Sequence, residues 1–75
     1  MNGNGMETFE VAFHNEEVRR LVKEGEQHRH LSDDWSNTHY LEVKAPDKIA
    51  AAEKVLAKYP EAQGYVIEDV TIALD

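Results

Sequence analysis

The sequence predicts a small α/β fold, a two-layer sandwich in the order β-α-β-α-β, with a three-stranded sheet carrying both helices on one face. If the sheet is mixed in direction, the class becomes α+β. Three observations carry this expectation. Segments near residues 7–14, 38–44 and 65–74 alternate apolar and polar side chains with the period of half-buried strands. Two intervening segments repeat apolar residues at helical spacing. Each change of period coincides with a residue that stops or caps an element, among them Asn15, Pro46, Pro60 and Gly64.

The first strand places Phe9, Val11 and Phe13 on one face and Thr8, Glu10, Ala12 and His14 on the other. Asn15 is suited to cap the helix that follows, and Glu16 and Glu17 complement its dipole. Val18, Leu21 and Val22 form its expected buried stripe. Gly25 either terminates this helix at its C-terminal cap or sits inside a helix that continues to about Leu31; the expectation is that it runs on past Gly25 and frays near His30. The polar connection over 31–37 holds turn-forming Ser32, Asp33, Asp34, Ser36 and Asn37 around the only tryptophan, Trp35.

The second strand sets Leu41, Val43 and Ala45 against Tyr40, Glu42 and Lys44. Pro46 is expected in the first turn of the second helix, whose predicted stripe is Ile49, Ala52, Val55, Leu56 and Tyr59. The last strand changes phase: Tyr65 and Ile67 share one parity, Val70, Ile72 and Leu74 the other. A β-bulge at Glu68-Asp69 would return both sets to one face; a break between two short strands is the alternative.

The chain has 75 residues and no cysteine, so one domain is expected over 7–75, with a disordered tail over 1–6. A chain this short buries only about 60% of its unfolded surface and has a thin stability margin. No apolar run reaches the roughly 20 residues of a membrane span, and the polar start, Met1-Asn2-Gly3-Asn4-Gly5, lacks a hydrophobic signal region. The reading is therefore of a soluble, cytoplasmic protein of bacterial style. Eight Lys and Arg stand against 15 Asp and Glu, a net charge of −7. That balance repels phosphate backbones and anionic membranes, so neither nucleic acid nor membrane is an expected partner.

The densest chemistry lies between residues 28 and 39. His28, His30 and His39 are an alternative metal set, but their spacing lacks a two-histidine helical motif, and no metal is favoured. Histidines near a helix end also serve as dipole partners. Asp33-Asp34 offers an acid–base couple with a neighbouring histidine, or simply turn caps. Trp35 is expected to cover the edge of the core; exposed, it would mark a contact surface. His14, at the end of a strand and the start of a helix, reads as a strand-end polar residue. Glu16 and Glu17 speak against anion binding beside it.

No nucleophile elbow, phosphate loop or dinucleotide fingerprint is present, and no cofactor is implied. The resulting expectation is a noncatalytic interaction or accessory module, monomeric or weakly dimeric, that binds another protein. The candidate contact residues are Trp35, Asp33, Asp34 and Tyr40. Two rival expectations are an acidic nucleic-acid mimic that occupies a basic groove, and a metal sensor or enzyme built on the three histidines.

Overall fold

The computed structural model describes residues 5–73. Most of the tail expected to be disordered, residues 1–4, and Leu74 lie outside them. Strand β1 is Glu7–Asn15, helix α1 Glu16–Lys23, strand β2 His39–Ala45, helix α2 Lys48–Lys58 and strand β3 Tyr65–Ile72. Single 3-10 turns, Asp33–Ser36 and Glu61–Gln63, precede β2 and β3. No described helix is long and apolar enough to cross a membrane.

The sheet has the order β2-β1-β3, and both pairings are antiparallel. The protein is thus a small α+β fold. The crossover β2-α2-β3 joins two strands that run in the same direction, and β1 fills the gap between them in the opposite sense. This pairing suits a sheet whose outer face, with Glu10, Glu42 and Lys44, is wet. Parallel sheets are usually covered on both sides, whereas antiparallel sheets tolerate water on one.

Phe9, Val11 and Phe13 of β1 form the middle of the core, with Ala45, Ala51, Val55 and Tyr65 around them. Leu41, Val43, Ile67 and Val70 extend the same apolar face from the two edge strands. The phase change in β3 is a bulge. Ile67 pairs with Phe13 and Asp69 with Ala12, so Glu68 is the extra residue and Val70 returns to the core opposite Val11.

Helix α2 covers this face. Its buried residues are Ala51 and Val55, while Ile49 is 72% exposed and Leu56 only half-buried. The predicted stripe was therefore rotated. Asp47, not Pro46, opens the helix, its carboxylate accepting the Ala50 N–H at 2.8 Å. With Asp47 as cap, the i, i+4 row through residues 51, 55 and 59 faces the sheet, and small Ala51 allows close approach.

Helix α1 ends sooner than the apolar pattern suggests. Gly25 adopts φ +76°, the Gly25 N–H donates to the Val22 carbonyl at 3.0 Å, and the Glu26 N–H donates to Leu21 at 2.8 Å. These two bonds are a Schellman stop, and a residue with positive φ at that place favours glycine. The expected continuation to His30 does not occur. Val18 is fully buried, but Val22 is 39% exposed, so the predicted stripe holds at its start and fails at its end. α1 packs chiefly on the Asp33–Ser36 turn.

Candidate functional site

The end of β1 gathers most of the buried polar chemistry. Asn15 is fully buried. Its Oδ1 accepts the Val18 N–H at 2.9 Å, as the predicted cap, and its Nδ2 donates to the Gln63 carbonyl at 2.9 Å. The Glu16 N–H donates to the Gly64 carbonyl at 2.7 Å. Gly64 sits at φ +100°, and a Cβ there would lie 2.8 Å from Asn15 Oδ1. Glycine is required twice over, by conformation and by space. Burial raises the Tyr65 hydroxyl pKa and neighbouring Tyr59 adds to it, while a side-chain hydrogen bond with Asn15 works the other way.

His14, beside Asn15, is 5% exposed. Its Nδ1 lies 2.6 Å from Glu68 Oε2, and its Nε2 lies 2.7 Å from Glu16 Oε1. Ionised carboxylates only accept, so both ring nitrogens donate, which the imidazolium alone can do. Glu68 also accepts the Thr38 hydroxyl at 2.8 Å, and Arg19 Nη2 lies 3.7 Å away. The Thr38 hydroxyl, the His14 ring and the Arg19 charge hold the Glu68 carboxyl below the usual carboxylate range, against an opposing effect of burial. Glu16 is lowered chiefly by its hydrogen bond with His14.

One carboxylate thus ties together β1, β3, α1 and the strand-entry residue Thr38. Reading His14 as a strand-end polar residue missed this. The available signal was the phase change at Glu68-Asp69, because a bulge opposite Ala12 and Phe13 brings Glu68 level with the end of β1.

The candidate contact residues border the start of β2. Trp35 is half-buried and stacks on His39 with ring centroids 4.1 Å apart and planes 19° from parallel. Phe13, Tyr59 and Tyr65 complete a cluster of rings whose centroids lie 5.2–5.8 Å from that of Trp35. The indole therefore packs on the core. Asp33 and Asp34 are exposed, and Ser32 caps their turn by accepting the Asp34 N–H at 3.1 Å. The His39 ring nitrogen Nε2 lies 3.1 Å from the Asp34 carbonyl oxygen and 3.5 Å from its carboxylate. Tyr40 lies on the outer sheet face and is 65% exposed. Trp35 and Tyr40 thus flank β2 on opposite faces.

The alternative metal set is not brought together. His39 is stacked on Trp35, while His28 and His30 meet edge to face at 6.2 Å in the 24–32 loop. Among the described residues, no group of three or more His, Cys, Asp or Glu side chains is arranged to hold a metal ion. His28 and His30 instead line an open hollow of about 420 Å³ with Glu17, Leu31, Ala62 and Gln63.

The two sheet edges differ. The Ala73 N–H donates to the Thr8 carbonyl at 3.0 Å, so even-numbered β1 residues bond towards β3 and odd ones towards β2. Given the register Phe9 to Val43 and Val11 to Leu41, the N–H and C=O groups of Tyr40, Glu42 and Lys44 point away from the sheet. Lys54 Nζ donates to the Lys44 carbonyl, which agrees with that direction. Tyr40 and Glu42 have no partner on this side among the described residues. On β3, by contrast, the bulge interrupts the edge, and Asp69 Oδ1 accepts the Val70 N–H at 2.9 Å.

No protein-family model, curated protein sequence or solved structure matches this chain.

Proposed function

We propose that this chain is a small noncatalytic interaction module that binds another protein by taking an extended segment of it along β2. The observation that carries the reading is the open backbone of Tyr40 and Glu42 on a strand without a bulge. Exposed strand edges pair readily with other chains, and proteins commonly blunt those they do not use. Here β3 is blunted by its bulge and by Asp69, while β2 is closed only at Lys44.

The side chains favour a basic segment. Glu10 and Glu42 stand directly opposite each other across β1 and β2, an unfavourable placement of like charges. Neither takes part in an ion pair among the described residues. A segment added beside β2 would set alternate side chains next to Glu42 on the outer face, where lysine or arginine would relieve that repulsion. Exposed Tyr40 offers an aromatic face to the same cation. Asp33 and Asp34 extend the acidic rim beyond the start of β2.

Glu42→Pro tests this. Proline removes the outward N–H but none of the bonds to β1, and edge strands tolerate it on the solvent side. A photo-crosslinking residue at position 40 should capture a partner in the native host, and adding Glu42→Pro should abolish the capture while the amide spectrum of the core stays unchanged. Capture that survives Glu42→Pro would exclude the β2 edge as the binding site.

A further inference from the structure

Within the loop over residues 24–32, one imidazole holds the backbone at residues 30 and 31. His28 Nδ1 lies 3.0 Å from the His30 backbone N and 3.1 Å from the Leu31 backbone N, and accepts both N–H groups. A nitrogen that accepts carries a lone pair, so the ring proton sits on Nε2, which donates to Glu17 Oε1 at 2.7 Å. This bonding pattern requires the neutral ring. It also leaves neither nitrogen open to a metal ion, because Nδ1 is filled by two donors and Nε2 by its own proton.

We propose that His28 is a proton-operated latch that holds the 24–32 loop closed when neutral and releases it when charged. A second proton on Nδ1 would point at two backbone N–H groups, so both bonds to the loop backbone must break. The groups around the ring set the sense of the change. Glu17 faces it from α1 and attracts the imidazolium, which keeps the ring on the helix while the backbone at 30–31 lets go. Asp33, from the turn before β2, borders the same surface and also favours the charged ring. From the loop itself, His30 lies edge-on at 6.2 Å and Arg29 lines the adjoining hollow. Both oppose a further positive charge. The Glu61–Gln63 turn contributes only Ala62 and uncharged Gln63.

Release has a route into the fold, since Leu31 packs on the core cluster next to the Trp35 turn. Acid therefore loosens the apolar flap beside the start of β2 while leaving the sheet bonded. Histidine is the side chain suited to such a switch, because it changes charge between about pH 5 and pH 8.

The test is nuclear magnetic resonance of the whole chain from about pH 7.5 to about pH 5, the range in which histidine titrates. Ring nitrogen shifts of His28 should report the Nε2–H tautomer at the upper end. Amide exchange of His30 and Leu31, corrected for the intrinsic effect of pH, should accelerate about tenfold at each as the ring charges, the size expected when an amide loses its one hydrogen bond. His28→Asn supplies a side-chain oxygen at the place of Nδ1 and cannot titrate, so it should keep both amides protected throughout. His28→Ala should leave them unprotected at every pH, and His30→Gln should keep the wild-type pH dependence. The latch is refuted if both amides stay protected beside a fully charged His28, or if His28→Asn retains the acid-induced loss.

Discussion

Two histidines fourteen positions apart are held in opposite ways. His14, at the end of β1, has a carboxylate on each ring nitrogen, and the partners come from α1 and from β3, 54 positions away. His28 has one carboxylate and two backbone N–H groups, all within 11 positions in sequence. The first arrangement needs the charged ring and the second the neutral one. A histidine's role is thus set by the count of donors and acceptors around it, and residue type alone does not reveal that count. The two sites also differ in reach. The β1 end binds segments distant in sequence, whereas the 24–32 loop is closed largely on itself.

The largest effect is expected where the β1 end is most crowded. Gly64→Ala forces a side chain into the left-handed region and against Asn15 Oδ1, disturbing the α1 cap as well. It should lower stability by about 3 kcal/mol, read from the shift in denaturant midpoint. A shift below about 1 kcal/mol, the size of an ordinary cap change, would mean that Asn15 can move aside and that the β1 end is softer than its bonding implies.

Trp35 lies between the two regions, and truncating it asks which of them it serves. Trp35→Ala should cost about 2 kcal/mol, less than a fully buried tryptophan because the ring is half-exposed. Amide protection should fall mainly at Phe13, His39 and Tyr65, on the core side. Loss confined to residues 25–32 would instead assign the indole to the loop.

The smallest expected effect is electrostatic. The Glu68 carboxyl is held below its ordinary value by Thr38, His14 and Arg19, so its contribution is present above the ordinary carboxylate range and is lost as pH falls through the lowered value. Glu68→Gln should therefore lower neutral stability modestly and flatten the acid limb of the stability curve below about pH 4, near the ordinary carboxylate pKa, by the same amount, because the contribution it removes is the one acid removes from the wild type. An unchanged acid limb would place the acid sensitivity elsewhere and weaken the contrast between the two histidines.

Much of the local order was legible in residues a few positions apart. The alternation of Phe9, Val11 and Phe13, the Asn15 cap, the stop at Tyr59-Pro60 and the bulge at Glu68-Asp69 each rest on short-range geometry. Periodicity and capping act within one turn or one pleat, so the sequence carries them openly. Other features needed partners that sequence distance hides. The α1 stop at Gly25 turned on a local backbone choice that the apolar pattern masked. The rotation of α2 depended on which residue, Pro46 or Asp47, took the cap and on how closely Ala51 could approach the sheet. The meeting of His14 with Glu68 required both the strand order β2-β1-β3 and the one-residue shift at the bulge.

What the sequence determined by itself was the order of elements, the apolar face of each strand and the places where the chain turns. Those follow from side-chain periodicity and from backbone preferences at single residues. Only the tertiary structure decided that both edge strands run antiparallel to β1, because the connection over residues 16–38 is long enough to return in either direction. It also decided the setting of His14, since Glu68 reaches its ring from 54 positions away.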